Sequence, residues 1–214
     1  MTCTGLLLAA GASRRFGPSD KLLATVAGMP LVAHAAQAMR AIPLDDRIAV
    51  IANPALAPLL DGFRIVLIAQ GQQSDSLRAG LSAAGTPDRL LIALGDMPDV
   101  TAAHLTQIVS LAADGLPSCS HDGIASLPPA CFPRDWLPRL AQLTGDQGAG
   151  RLLRDLAPSR QVPAPGLLRD IDLPEQISPP PPGRPHDATV RGDVKSPRCR
   201  GTQFSPTLRR PPRS

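Results

Sequence analysis

The chain has 214 residues, of which 43% are hydrophobic but only 2% aromatic, with no tyrosine. That length suits one α/β domain with a core of Leu, Ile, Val and Ala, and no apolar run approaches the roughly 20 residues that span a bilayer. The net charge of +4 is unevenly placed: residues 1–177 carry 14 Lys and Arg against 16 Asp and Glu, and residues 178–214 carry 8 against 2, which argues against nucleic acid as the ligand of the folded part.

Taken from the N-terminus, Thr4-Gly-Leu-Leu-Leu-Ala-Ala is a continuous apolar run, the signature of a strand buried on both faces of a parallel sheet. Similar runs recur at 47–52, 64–69 and 89–94. Between them, 30–41, 54–60, 74–84 and 101–113 have helical character, the last opening at a cap on Asp99 or Thr101. The alternation predicts an α/β fold, a doubly wound and mostly parallel sheet of Rossmann-like type. Past Ala113 the pattern predicts short strands near Ser118 and Ile124 and helices over about 133–143 and 147–156, a half expected to lay an acceptor-binding surface over the sheet. Residues 178–214 hold 9 prolines in 37 positions and cannot bury enough surface to offset the entropy of ordering them. The expected organisation is one domain, 1–177, followed by a disordered Pro/Arg-rich tail, 178–214.

Cys3, Cys119, Cys131 and Cys199 show no CxxC or metal-ligand spacing and read as reduced thiols. The basic residues Arg14 and Arg15 follow the first apolar run instead of preceding it, unlike a signal peptide. The protein is expected in the cytoplasm, with no membrane partner.

The stretch Leu8-Ala-Ala-Gly-Ala-Ser-Arg-Arg-Phe-Gly-Pro-Ser-Asp-Lys21 follows the first strand directly. In an open parallel sheet, ligands bind beyond the carboxyl ends of the strands, where this loop must lie. Small residues at Ala9, Ala10 and Gly11 admit a base or phosphate close to the backbone, and Ser13, Arg15 and Lys21 supply donors. The stretch is neither a P-loop nor the GxGxxG fingerprint. On its own it is equally compatible with a Gly/Ser-rich turn bearing solvated cations. Only Lys21 and Lys195 are lysines, against 20 arginines, and a compact ammonium at the end of this loop suits a triphosphate.

Gly95-Asp-Met-Pro98 closes the strand at 89–94. Asp96 there is placed either to hold Mg²⁺ or to cap the following turn. Asp170-Ile-Asp-Leu-Pro-Glu175 puts two carboxylates on one face of an extended segment. Asp172, where the chain turns at Pro174, is the preferred second metal ligand, the alternative being a capped short helix starting at Pro174.

In order along residues 5–177, these pieces together with Gly28-Met-Pro-Leu, Ser74-Asp-Ser-Leu-Arg-Ala-Gly80, Pro128-Pro-Ala-Cys-Phe and Gly145-Asp-Gln-Gly-Ala149 resemble the molybdenum cofactor nucleotidyltransferases, and most closely the cytidylyltransferases among them. The resemblance implies a nucleotidyltransferase fold and transfer of CMP from CTP to the phosphate of molybdopterin, with release of pyrophosphate. It implies Lys21, Arg15 and Asp96 as catalytic residues and Mg²⁺ on Asp96 and Asp172. Nucleotide contacts fall on Ala9, Ala10, Gly11, Ser74, Ser76 and Gly80, and the acceptor site on 128–132 and 145–149. Ala-Ala-Gly stands where guanylyltransferase relatives carry Ala-Gly-Gly, which favours CTP over GTP. A guanylyltransferase of the same cofactor and a sugar-phosphate nucleotidyltransferase are the alternatives. The partners implied are the NTP, the phosphorylated pterin, and a molybdoenzyme or its chaperone as recipient. The family often places Arg directly after Gly-Asp-x-Gly-Ala; here Gly150 intervenes before Arg151. No covalent nucleophile is required, so the cysteines and His34, His104, His121 and His186 have no catalytic part in this reading.

Overall fold

The first apolar run forms the central strand β1 (Cys3–Ala9), buried along its whole length. The structure is a computed structural model that describes residues 1–11, 13, 15–17, 19–145 and 148–177. The expected tail at 178–214 and the Asp146-Gln147 pair of the acceptor-side motif lie outside the described residues. A hairpin of β2 (Thr25–Val26) and β3 (Met29–Pro30) leads into α1 (Leu31–Arg40). Then come β4 (Asp46–Ile51), β5 (Arg64–Leu67), α2 (Gln73–Ala84), β6 (Arg89–Leu94), α3 (Ala102–Leu111), β7 (Ser118–His121) and β8 (Ser126–Pro133). Two short helices, α4 (Leu137–Ala141) and α5 (Gly150–Leu153), precede β9 (Gln161–Pro163).

Seven strands make one sheet in the order β5-β4-β1-β6-β8-β7-β9. The first four are mutually parallel; β8 runs antiparallel to β6 and to β7, and β9 is parallel to β7. Alternate residues of each strand point to opposite faces, and two core layers follow. Cys3, Leu7 and Ala9 join Leu31 and Val32 of α1 and Leu105 and Ile108 of α3 on one face. On the other face Leu6, Leu8 and Ala10 meet Leu77 and Leu81 of α2 together with Leu137, Leu140 and Leu153. This is the doubly wound, mostly parallel arrangement expected from the alternation of runs. Among the described residues, no helix is long and apolar enough to cross a membrane.

Several of the differences fall where prolines interrupt the pattern. Residues 54–59 wind as a 3₁₀-helix containing Pro58, which has no N–H to donate. Ile124 is 93% exposed in a turn, and the strand expected near it begins at Ser126. Pro128 and Pro129 sit where the β7–β8 register shifts, between the pairs Cys119–Ala130 and Ser120–Leu127, so the missing donors fall at an irregularity of the ladder. The helices expected over 133–143 and 147–156 shorten to α4 with a preceding 3₁₀ turn and to α5.

Because β1 connects through α1 to β4 on one side and lies beside β6 on the other, the strand order reverses at β1. The crevice beyond the carboxyl ends of β1 and β6 is therefore where a ligand is expected.

Candidate active site

Beyond Ala9 the chain leaves the sheet and folds back on itself. Phe16 N–H donates to the Ser13 carbonyl at 2.9 Å, with Ser13 at φ 49°. Asp20 organises the return. One carboxylate oxygen accepts from Leu22 N–H at 3.0 Å and from the Ser13 hydroxyl at 3.3 Å, while the other accepts from the Asn53 amide at 3.0 Å. The first bond caps the 3₁₀ turn Lys21–Leu23, and the Asn53 bond ties the loop to the segment after β4. This fixes where Lys21 starts, and buried Leu22 holds the turn in the core.

Asp96 is delivered by β6. Gly95 N–H donates to the Leu8 carbonyl at 2.9 Å, and a Cβ at Gly95 would lie 3.2 Å from the Ala9 methyl. A glycine there lets the two strand ends run this close. Asp172 arrives from a remote segment: Ile171, fully buried, donates its N–H to the Asp96 carbonyl at 3.1 Å. The Gln176 side-chain oxygen then accepts from the N–H groups of Asp172 and Leu173, both at 2.7 Å. The 3₁₀ turn from Pro174 to Gln176 exists alongside the carboxylate's placement in the crevice, so the two sequence alternatives are compatible.

The Lys21 ammonium sits between the two carboxylates, 2.8 Å from Asp96 Oδ2 and 2.8 Å from Asp172 Oδ1, with 9% of its side chain exposed. Arg15, 74% exposed, reaches the other Asp172 oxygen at 3.2 Å. Burial works against the charged lysine, but the attraction of Asp96 and the hydrogen bonds to both carboxylates outweigh it and raise its pKa above the ordinary value. The hydrogen bond from Lys21 holds the Asp172 carboxyl below the usual range, aided by the charges of Lys21 and Arg15 against a desolvation cost. Asp96 Oδ1 is buried and has no hydrogen-bond partner among the described residues.

These groups line a crevice of about 420 Å³ that also takes in Ala9, Ala10, Gly11, Ser13 and Ser76. Two expected nucleotide contacts lie elsewhere. Ser74 is 1% exposed, donates its N–H to the Gly145 carbonyl and accepts from Arg78. Gly80 faces the sheet, where a Cβ would come within 2.5 Å of Leu6. Their geometry is that of helix seating: α2 packs against β1 through Gly80, and its first turn is held by Ser74. Gly71, Gln72 and Gln73 line the crevice without having been singled out from the sequence, and Leu94 lines it directly before the Gly95-Asp-Met-Pro98 motif.

A second cavity of about 730 Å³ shares Gln73 and Leu94 with the first. Its walls are Met97, Leu127, Pro128 and Leu168, with Arg151, Arg154 and Asp170 at the polar side. Pro128 belongs to the expected acceptor segment; the spacing of Asp170 to Asp172 marks it, but as an alternative metal ligand, and no local spacing marks Arg154. A Cβ at Gly148 would meet the Gln73 side chain at 2.6 Å, so the acceptor-side motif and the start of α2 are in close contact.

The family model for the MobA-like NTP transferase domain matches residues 5–162. The chain belongs to the MobA-like NTP transferase family. It is a nucleotidyltransferase. The purine catabolism protein PucB of Bacillus subtilis is 30% identical over 191 residues, covering 80% of this chain and 92% of that protein. Rv0371c of Mycobacterium tuberculosis has a similar structure, with TM-score 0.72 and 25% identity over 82% of this chain and 96% of its own. Its manganese complex superposes with TM-score 0.66 at 25% identity, covering 78% and 90%. The nucleotidyl transferase Mth528 of Methanothermobacter thermautotroptrophicus gives TM-score 0.69 at 25% identity, covering 82% and 94%. In this MobA-like transferase, the matched region contains the whole of the loop, Lys21 and Asp96. Asp172 lies ten residues beyond its end and joins the site through the Ile171 bond.

Proposed function

We propose that this nucleotidyltransferase moves CMP from CTP to the phosphate of molybdopterin and releases pyrophosphate. The carrying observation is the pair of adjoining cavities: a small-residue crevice containing a cation–carboxylate cluster, and beside it a larger one with apolar walls and two arginines. The first suits a nucleoside triphosphate. A planar, phosphorylated heterocycle matches the second, with apolar faces on Met97 and Pro128 and its phosphate toward Arg151 and Arg154. Ala10 supports a pyrimidine, since its methyl narrows the crevice relative to the glycine of guanylyltransferase relatives.

The acceptor's phosphate oxygen attacks the α-phosphorus in line. The bond from that phosphorus to the bridging oxygen breaks, and pyrophosphate leaves with the electron pair. Lys21 and Arg15 hold the negative charge that grows toward the leaving group, and the loop over Ala9 to Gly11 aligns the nucleotide. A divalent cation fits the carboxylate pair, because one buried Asp96 oxygen has no hydrogen-bond partner among the described residues and Mg²⁺ is commonly held by one or two carboxylates with substrate phosphates. Asp96 and Asp172 would hold it, and when bound it supplies charge neutralisation at the phosphates. The manganese complex of Rv0371c supports metal use in the family. The product would pass to a molybdoenzyme or its chaperone.

The test is pyrophosphate release from each of the four NTPs with Mg²⁺ and either molybdopterin or a sugar phosphate. Release is expected with CTP and molybdopterin. Turnover confined to GTP would overturn the choice of base, and turnover confined to the sugar phosphate would overturn the acceptor.

A further inference from the structure

We propose that Lys21 is the placeholder for the divalent cation: without nucleotide its ammonium occupies the gap between Asp96 and Asp172, and the metal enters only when a triphosphate draws the lysine away. The inference rests on the metal reading above. It begins from the geometry: a single ammonium lies 2.8 Å from an oxygen of each carboxylate and is almost wholly enclosed. Two carboxylates brought this near repel each other unless a cation lies between them. Lys21 is that cation, and the short turn capped by Asp20 fixes the base of its stem.

A divalent ion bound by the same two oxygens would have to share the gap with the ammonium, since metal–oxygen distances of about 2.0–2.1 Å for Mg²⁺ are shorter still than the hydrogen bonds now made. The two cations cannot both stay there without strong repulsion. One must leave, and the lysine has somewhere to go: its four-carbon stem is flexible, and the crevice it borders is the one that receives the triphosphate. Asp96 Oδ1, buried and without a hydrogen-bond partner among the described residues, would serve as a further oxygen for the divalent ion that replaces the lysine. Arg15 holds only the outer Asp172 oxygen from an exposed position and leaves the gap itself to Lys21.

Lysine and metal therefore compete for one position, and nucleotide relieves the competition by attracting Lys21 to its phosphates. Thermodynamic linkage makes the coupling reciprocal, so metal and triphosphate strengthen each other's binding. The device keeps the free protein from holding a divalent ion where no substrate is present to use it.

The experiment titrates Mn²⁺ alone into the nucleotide-free full chain and reads free Mn²⁺ by electron paramagnetic resonance. Lys21→Met is expected to bind Mn²⁺ about tenfold more tightly than the unsubstituted chain, and adding Asp96→Asn to Lys21→Met is expected to abolish the gain. Equal or weaker binding by Lys21→Met, with Asp96→Asn lowering the affinity of both, overturns the placeholder role and leaves the metal site standing. Absence of Mn²⁺ binding at Asp96 in every form, with CTP or without it, overturns both readings. The unsubstituted chain gives a second measurement that does not depend on a variant folding. Mn²⁺ alone should leave its melting temperature unchanged, whereas Mn²⁺ with CTP should raise it beyond CTP alone. Stabilisation by Mn²⁺ alone as large as that with CTP would sink the proposal.

Discussion

The N–H of Ile171 donates to the carbonyl of Asp96 at 3.1 Å, and this bond sets Asp172 opposite Asp96 across the Lys21 ammonium. Seventy-five residues of sequence separate the two backbone groups. The contact gives Asp170 and Asp172 different surroundings although they are two positions apart: Asp172 faces the first cavity and Asp170 the second.

That separation predicts different kinetic consequences for two similar substitutions. Asp172→Asn is expected to lower kcat by about 100-fold, the scale on which loss of one preorganised electrostatic group acts. Asp170→Asn is expected to raise the KM for the acceptor by about tenfold while leaving the KM for the nucleotide unchanged. Initial rates with each substrate varied in turn check both. A nucleotide-side defect in Asp170→Asn would contradict the assignment of the two cavities.

Gly80 provides a test of packing against binding. A Cβ there would press into Leu6, which is fully buried and has no room to withdraw. Overpacking of this kind costs about 1–3 kcal/mol, partly offset by the roughly 1 kcal/mol that alanine gains over glycine inside a helix. Gly80→Ala is expected to lose about 1 kcal/mol of stability in urea denaturation with unchanged affinity for the nucleotide. Weakened nucleotide binding with full stability would return Gly80 to the binding site.

Much of the site is legible in the sequence because it follows directly from strand ends. The apolar runs at β1 and β6 announce where Lys21 and Asp96 must emerge, and the sheet brings the two together. Asp20 is harder to read: an aspartate before Lys-Leu-Leu signals a cap, but its bond to Asn53 exists only once β4 lies beside β1. The second cavity draws Met97, Leu127, Arg154 and Leu168 from four separate segments, so no periodicity could mark it. Strand β8 is obscured by Pro128 and Pro129, which look like breakers until the register shift that accommodates them is seen. Gly80 and Ser74 illustrate the reverse hazard, since a motif position can be required for seating a helix instead of touching a ligand.

Asp20→Ala removes the cap on the Lys21 turn and the bonds to Ser13 and Asn53 together. Loss of such a cap costs about 1 kcal/mol, and a small fall in melting temperature is expected. The larger effect should be on the nucleotide, because the loop and the base of Lys21 lose their common anchor. A rise of about tenfold in its KM, with acceptor KM unchanged, is the expected kinetic result. Unaltered nucleotide KM would mean that the loop is held without Asp20.

His104 is expected to contribute a pH dependence to folding near neutrality. It is 4% exposed, and its Nε2 lies 2.8 Å from the Ser120 hydroxyl. That hydroxyl donates its only proton to the Pro129 carbonyl at 2.8 Å, so Nε2 carries a proton and donates it to Ser120. Burial lowers the folded-state pKa below the ordinary value of 6.5. Below that value the unfolded chain takes up a proton that the folded chain refuses, so stability falls as pH drops through about 6.5 and levels off only below the folded pKa. Urea midpoints at pH 7.5 and 5.5 should therefore differ in the unsubstituted chain, the lower pH giving the lower midpoint. His104→Gln can still donate to Ser120 but cannot take up the proton, and its midpoints should lie closer together. An undiminished difference in that variant would assign the pH dependence to other groups.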